Sequence, residues 1–310
     1  MNTARLHIVS TLCACLVAGL MFPAVIGAQE EEEEDFWQLL DFKDREVLEK
    51  LGVTAKTTEP AAIGMVQNAL ARHKDAAVRA TCAKVLGRLE AKSAGEVLTR
   101  ALADPNADVR RWAAQALGVI GEKRALQALV HLLTKDPSWQ SRLAVVRALK
   151  TMDDRRAGGA LAEALVKDAD WRVRKEAADA ISALDEKRAA KHLIQALSDP
   201  QAEVRAVAAA ALGRMEERRA LDKLIELLQD DNASVRYTAA TALGKLANKK
   251  AVKPLIACLD DEEARVRSHC AIALGNIGSS KAIKPLEALA ENDPDEHVRK
   301  VATEAIKKIK

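Results

Sequence analysis

The sequence predicts an all-α fold in which about eight two-helix repeats stack into a solenoid. A single arginine recurs at steps of 31 or 32 residues from Arg79 to Arg299. Each repeat contains two segments with a helical apolar face. The 310 residues are 49% hydrophobic but only 3% aromatic. Small aliphatic side chains let helix axes approach closely, so this composition favours a stack of short helices.

One repeat, Asp199–Asp230, shows how the two helices are predicted. The segment 204–212 places its apolar residues on one helical face, and we interpret the following Gly213 as the residue that ends the helix. A short charged connection leads into a second helix from Ala220 to about Leu228. Neither helix can bury its apolar face alone, so neighbouring repeats are expected to stack.

The chain before the repeats divides into three parts. Residues 1–28 have the features of a secretory signal, with a positive n-region and an uncharged apolar run from Ile8 to Ile26. An uncleaved membrane anchor is the alternative, because that run approaches the ~20 residues that span a bilayer. Residues 29–35 are predicted to be a disordered acidic lead-in, and residues 36–72 a divergent capping repeat. Either interpretation exports the chain, to the periplasm or the extracellular space.

Three residue types recur at fixed distances from the repeated arginine. Valine precedes it in seven of eight copies, aspartate stands six residues before it in seven, and glycine stands eight residues after it in five. This pattern resembles the short HEAT-like repeats of the phycobilin lyase type over about residues 60–310, and the array proper is assigned to residues 73–310. The resemblance implies a right-handed α-solenoid in which each arginine bridges to the aspartate of a neighbouring repeat.

The resemblance makes these charges a structural ladder rather than a site for a polyanion. Arginine offers several fixed donors to a carboxylate, and the aspartate is also expected to cap the helix that follows it. The predicted ladder residues are Asp104, Arg110, Asp136, Arg142, Asp168, Arg174, Asp199, Arg205, Asp230, Arg236, Asp261, Arg267, Asp293 and Arg299.

The outward positions of the second helices form a candidate partner-binding surface, because solenoids bind partners along extended faces. The predicted residues are Gln127, His131, Lys191, Gln195, Lys223, Lys253 and Lys284. This surface becomes more basic toward the C-terminus.

A second basic row lies in the connection inside each repeat. Acidic residues precede the basic pairs in four repeats, so we interpret this row as a solvated edge.

Two tryptophans occupy the same position in successive repeats. Trp139 and Trp171 stand three residues before Arg142 and Arg174, where other repeats have alanine. In a stack they should be neighbours, roughly 10 Å apart. Two interpretations remain open: the rings fill space in repeats that lack glycine at the helix end, or they form a hot spot for a protein or a stacking platform for a sugar.

Motifs for catalysis or metal binding are not found. No histidine is followed by glutamate, although HEAT-like hydroxylases need such pairs as metal ligands, and there is no phosphate loop or nucleophile elbow. We therefore expect no enzymatic activity, no metal and no cofactor, and a lyase role would rest on the family resemblance alone.

Cys82, Cys258 and Cys270 remain after residue 28. Although Cys258 and Cys270 can face each other, we expect free buried thiols.

Taken together, these features predict an exported, monomeric scaffold that binds another protein on its solenoid surface. The alternative is a binder of an anionic or carbohydrate polymer of the cell envelope, which would use the basic C-terminal face and the tryptophan pair. Nucleic acid is not an expected partner of an exported chain. A membrane contact is expected only through an uncleaved signal anchor.

Overall fold

The computed structural model describes residues 42–54 and 57–310, and within these ranges the chain is helical without any strand. The all-α solenoid prediction is confirmed. The predictions for the signal, for the acidic lead-in and for residues 36–41 of the capping repeat lie outside the described residues. The described part of the capping repeat contains α1 (Phe42–Lys50) and α2 (Glu59–Arg72).

The repeats alternate a long first helix with a second helix that is usually shorter. In chain order they contain α3 (Ala76–Arg88), α4 (Gly95–Ala101), α5 (Ala107–Ile120), α6 (Leu126–Lys135), α7 (Trp139–Thr151), α8 (Gly158–Lys167), α9 (Trp171–Ala183), α10 (Ala190–Ala196), α11 (Ala202–Arg214), α12 (Leu221–Glu226), α13 (Ala233–Leu246), α14 (Val252–Ala257), α15 (Ala264–Ile277), α16 (Ile283–Asn292) and α17 (Glu296–Ile309). Odd-numbered helices from α3 onward are first helices, and even-numbered helices from α2 onward are second helices. A three-residue 3-10 turn opens each second helix from α4 to α16.

The core lies between the layer of first helices and the layer of second helices. Each first helix packs against the first helix of the next repeat and against the second helix of the preceding repeat. The residue seven positions after the repeated arginine is fully buried in seven of the eight copies, as Leu86, Leu117, Leu149, Ile181, Leu212, Leu243 and Leu274. Burying each such side chain contributes about 1.5–3 kcal/mol, so the array is stabilised by one continuous aliphatic seam.

The recurring glycine does not end the first helix, contrary to our interpretation of Gly213. Gly213 lies inside α11, and a Cβ atom added to it would sit 2.8 Å from the Cα of Ala242 in α13. The glycine is therefore required for close approach of adjacent helix backbones. The left-handed residue that reverses the chain comes three positions later, at Glu216, with a φ of 51°. The same position is left-handed in the other repeats, at Glu90, Gly121, Asp153, Asp185, Ala247 and Gly278.

The ladder aspartates do not cap the first helices, so that part of the prediction is wrong. Asp104 accepts a hydrogen bond from the backbone N–H of Asn106, and Asn106 is the residue that caps α5. Because Asp104 lies two residues before the cap, its carboxylate reaches the N–H of the cap residue instead of those of the helix. The aspartate thus orders the turn that positions the cap.

Two of the three cysteines form a disulfide, which corrects the prediction of free thiols. Cys258 follows α14, Cys270 lies in α15, and their Cα atoms are 6.1 Å apart, within the range that a disulfide spans. The cysteines meet because the end of one second helix packs against the first helix of the next repeat. Cys82 is free and buried, and burial raises the pKa of its thiol to about 12.

Candidate functional site

Seven arginines, from Arg79 to Arg267, each join their own turn to the next repeat. Arg110 donates from Nε and Nη2 to the carboxylate of Asp136 at 2.6 and 2.9 Å, and from Nη1 to the backbone carbonyls of Asp104 and Pro105. Three nitrogens of one guanidinium are thereby engaged by the protein itself, in the bidentate geometry that arginine favours. The same paired arrangement joins Arg79 to Asp104, Arg142 to Asp168, Arg174 to Asp199, Arg205 to Asp230, Arg236 to Asp261 and Arg267 to Asp293.

The ladder pairs are shielded from solvent, and each joins a positive guanidinium to a negative carboxylate. The hydrogen bond from Arg267 lowers the pKa of Asp293 below its ordinary value. At the C-terminal end, Arg299 donates to the backbone carbonyls of Asp293 and Pro294. These arginines hold the stack together and are not arranged as a surface for a polyanion.

The two tryptophans lie on either side of one arginine. The guanidinium carbon of Arg172 is 3.4 Å from the ring centre of Trp139 and 5.9 Å from that of Trp171, and the side chain is also ion-paired with Asp170 at 2.7 Å. Both rings are half-buried. Arg172 covers a face of Trp139, so that face is not open for stacking against a sugar ring.

A groove of about 540 Å³ lies between α5 and α7, and we call it the α5–α7 groove. Val119, Trp139 and Leu143 provide apolar side chains. Arg111 and Arg147 provide cations beside them; Arg111 is ion-paired with Asp108 at 2.7 Å, and Arg147 with Glu176 of the groove lining at 3.4 Å. With Lys150, the lining cations outnumber the one lining carboxylate. Val119 is 46% exposed, which is unusual for a large aliphatic residue of this array. The groove therefore combines an apolar surface with positive charge, a combination that suits a protein segment carrying both apolar and acidic side chains.

Polar side chains join the first helices where two repeats lack the recurring glycine. Lys150 stands in its place in α7 and forms a short ion pair with Asp179 of α9. Ser182 stands in its place in α9 and accepts a hydrogen bond from Arg214 of α11, at 2.9 Å. Arg214 also pairs with Asp179, at 3.3 Å. Lys150 lines the α5–α7 groove as well, so this network borders it.

The predicted second-helix residues are all exposed, but they lie on five separate helices. Gln127 and His131 lie on α6, Lys191 and Gln195 on α10, Lys223 on α12, Lys253 on α14 and Lys284 on α16. Lys223 is ion-paired with Glu226 at 2.6 Å, whereas Lys191 borders a cavity of about 380 Å³ with His192. Burial lowers the pKa of His192. The structure thus places the predicted residues along an extended row rather than in one compact site.

Several features of the site were not predicted from the sequence. These features are the stacking of Arg172 on the tryptophans and the Lys150–Asp179–Arg214 network. Predicting them requires the register between neighbouring helices, which the spacing of residues in the sequence does not supply. A signal existed for the network, because Lys150 and Ser182 are two of the three positions where copies depart from glycine, the third being Lys307 in the last copy. Within residues 42–54 and 57–310, no group of three or more His, Cys, Asp or Glu residues could hold a metal ion. No helix in those ranges is long and apolar enough to span a membrane.

Comparison with known protein families places the fold. The model of HEAT repeats matches five overlapping segments, 63–150, 132–213, 158–240, 190–263 and 221–307. These segments cover most of the chain, and the protein belongs to the HEAT-repeat family. No curated protein has a significantly similar sequence.

Solved structures share this architecture. The Escherichia coli protein YibA is 23% identical, with 81% of this chain and 96% of that chain aligned and a TM-score of 0.59. Importin beta is 14% identical over 81% of this chain and 41% of its own, with a TM-score of 0.62. The CpcE–CpcF complex of phycocyanin lyase from Nostoc sp. PCC7120 is 21% identical over 80% and 94%, with a TM-score of 0.44. These likenesses concern the fold alone.

Proposed function

We propose that the protein is an exported, non-enzymatic scaffold that binds a protein partner in the α5–α7 groove. HEAT-repeat proteins commonly bind other proteins. The observation that carries the proposal is the groove itself, where the partly exposed Val119 and the half-buried Trp139 lie beside Arg111 and Arg147. Tryptophan and arginine are the residues most enriched at energetic centres of protein interfaces.

The position of the groove within the array also supports this proposal. The groove is lined by Trp139 and Lys150, which differ from the alanine and the glycine found at these positions in most other repeats. The residues that recur from repeat to repeat are engaged in packing or in the ladder. In a repeat protein, residues that hold the stack recur, so departures are the natural place for recognition. The favoured partner segment carries one apolar anchor flanked by carboxylates.

Export is supported by the signal features of residues 1–28 and by the Cys258–Cys270 disulfide. Disulfides persist in oxidising compartments and are rare in the cytosol. N-terminal sequencing of the protein recovered from its native cell tests this part, and we expect the mature chain to begin at Gln29. A chain that retains Met1 in the cytoplasmic fraction would contradict export.

A photo-crosslinking amino acid at Gln140, which lines the groove, tests the binding site in the intact cell envelope. We expect one specific adduct, and we expect Val119→Glu to remove it because a carboxylate would oppose both the apolar contact and acidic partner residues. Ile272→Glu is the matched control, since Ile272 is a similarly exposed aliphatic residue on α15, outside the groove. Equal adduct yields from both variants would contradict the proposal.

A further inference from the structure

Five exposed lysines cluster at the C-terminal end of the basic edge. This lysine patch consists of Lys249, Lys250, Lys253, Lys281 and Lys284, which lie in the 3-10 turns before α14 and α16 and at the start of those helices. All five are exposed, and none forms an ion pair with a carboxylate among the described residues. The patch is therefore uncompensated positive charge, which attracts an acidic partner.

Comparison with the preceding repeats shows that acidic residues are missing from this part of the edge. The two positions before the basic pair hold Asp185 and Glu186 in one repeat, but Ala247 and Asn248 in the repeat of the patch. Elsewhere such acids hold the adjacent cation, as Glu217 does with Arg219 at 2.8 Å. Asn248 keeps the backbone hydrogen bond that the acid makes in other repeats, to the N–H of Lys250. The repeat of the lysine patch therefore keeps the conformation of the turn but lacks the negative charge that the turn carries in the preceding repeats.

The same chain carries an uninterrupted acidic run. Residues Glu30–Asp35 are six consecutive acids at the other end of the sequence, outside the described residues. We propose that the lysine patch of one molecule binds the acidic run of a second copy, so that molecules associate head to tail. This proposal concerns a surface separate from the α5–α7 groove, and it replaces the expectation of a monomer.

The geometry favours a second copy over the same molecule. Asp44 of α1 is ion-paired with Lys84 and Arg88 of α3, which fixes the N-terminal end of the array on the first repeats. The lysine patch begins five repeats later, roughly 50 Å away at ~10 Å per repeat. About ten residues separate the middle of the acidic run from α1, and they span at most ~35 Å when fully extended. A contact between different molecules does not have this limit.

The chemistry of the patch fits a carboxylate-rich segment. Each lysine is a point charge on a flexible stem, so neighbouring carboxylates can pair in many geometries. Exposed pairs are individually weak and are screened by salt, so the association should be moderate and sensitive to ionic strength. Because donor and acceptor surfaces differ, the contact is heterologous and can continue from molecule to molecule.

The test uses the chain without residues 1–28 and a fluorescent peptide of residues 29–37. Light scattering at low salt should show a mass that rises with protein concentration and returns to the monomer at high salt. The peptide should bind in fluorescence anisotropy, and the triple variant Lys249→Ser, Lys250→Ser, Lys253→Ser should weaken binding by at least about ten-fold.

The matched control removes the same three charges at the equivalent positions two repeats earlier. The variant Lys187→Ser, Arg188→Ser, Lys191→Ser should bind the peptide within about two-fold of the unmodified chain, because Asp185 and Glu186 already neutralise that part of the edge. Deletion of Glu30–Asp35 should abolish the rise in mass without changing the thermal midpoint.

The proposal is overturned by any of three results. The first is a constant monomer mass together with no peptide binding. The second is equal weakening by the two triple variants, which would indicate general attraction rather than a site. The third is binding of an anionic polysaccharide, but not of the peptide, in a manner that depends on the lysine patch. That last result would assign the surface to an envelope polymer.

Discussion

Two kinds of junction hold the first helices together, and they differ in physical character. Toward the C-terminus, Gly213, Gly244 and Gly275 each lie against an alanine of the next first helix, so that an added Cβ would come within 2.8–3.0 Å of that alanine's Cα. In the centre, Lys150 and Ser182 replace glycine, and charged side chains span the two junctions. The first kind depends on backbone contact, and the second depends on ion pairs that are partly open to solvent.

The difference matters because a solenoid is nearly one-dimensional. Each repeat contacts only its neighbours, so the weakest junction decides where the array opens. The ladder pairs Arg142–Asp168 and Arg174–Asp199 are present in the centre as well, and the added stabilisation there comes from a partly exposed network. Exposed ion pairs contribute little, typically about 0.2–1 kcal/mol, whereas close packing contributes more and is insensitive to salt. The central junctions are therefore expected to open first, and the one between α7 and α9 borders the α5–α7 groove.

The largest expected effect comes from removing a ladder carboxylate in each region. Asp199→Ala and Asp261→Ala each deprive a shielded arginine of its bidentate aspartate, which should cost up to about 3 kcal/mol of unfolding free energy. The two bidentate pairs have the same lengths, since Arg174 and Arg236 both donate to their aspartates at 2.7 and 2.9 Å. Arg236 differs in also donating to Glu262 at 3.3 Å, so the loss in Asp261→Ala should be the smaller of the two. Urea unfolding followed by circular dichroism should show two transitions for Asp199→Ala, because the junction between α9 and α11 has lost its main bond.

For Asp261→Ala, the contact of Gly244 with Ala273 remains. We expect a single transition shifted to lower urea. Two transitions in both variants, or in neither, would contradict the distinction between the two kinds of junction. Hydrogen exchange locates the opening independently, and the first amides to exchange in Asp199→Ala should be those of α9 and α11.

The second effect tests the backbone contact directly. In Gly213→Ala the new methyl group must displace the backbone of α13, and such overpacking should cost about 2 kcal/mol in chemical denaturation. Gly159→Ala is the control within another helix, since nothing lies within 4 Å of an added Cβ there. That change should stabilise the protein by up to about 1 kcal/mol, because glycine is unfavourable inside a helix. Equal destabilisation by both substitutions would contradict a role in helix approach.

The sequence predicts the fold far better than it predicts these junctions. Periodicity of apolar residues and of the arginine is enough to predict the helices and their stacking, and the resemblance to HEAT-like repeats implies the partners in the ladder. It could not reveal that Gly213 faces Ala242, because that depends on the register between helices from different repeats. The prediction of free thiols was wrong even though the repeat pattern allows Cys258 and Cys270 to face each other, because only the placement of the helix end brings the two cysteines within disulfide distance. The candidate site was partly predictable: Trp139 was identified, but Val119 and Leu143 look like ordinary core residues in the sequence.

A third, smaller effect concerns the central network alone. Asp179→Asn removes the carboxylate shared by Lys150 and Arg214, and it should cost about 0.5–1 kcal/mol at low salt and almost nothing at 1 M salt. Burial would raise the pKa of Asp179, but hydrogen bonding and the charges of Lys150 and Arg214 outweigh burial, so the pKa is lowered. The contribution is therefore present above the ordinary carboxylate pKa and is lost as the pH falls through the lowered value. Denaturation at pH 6 and below pH 3, at two salt concentrations, should show a salt-dependent difference only at pH 6.

The smallest effect tests a feature that the two regions share. Ala247 and Asp185 both occupy the left-handed turn position with a φ of 48°. The left-handed conformation costs a non-glycine residue about 1–2 kcal/mol. Glycine avoids this cost but loses more conformational entropy on folding. The balance of the two predicts that Ala247→Gly stabilises the protein by about 0.5 kcal/mol. Asp185→Gly should gain less, because aspartate tolerates the left-handed region better than alanine does. Gly278→Ala is the reverse control. No atom lies within 4 Å of its added Cβ, so any loss must come from the backbone. If thermal denaturation shows that Gly278→Ala leaves the stability unchanged, this account is contradicted. If Gly278→Ala lowers the stability and Ala247→Gly raises it, the turns contribute alike in both regions. The central junctions then differ from the C-terminal ones only in how the helices pack.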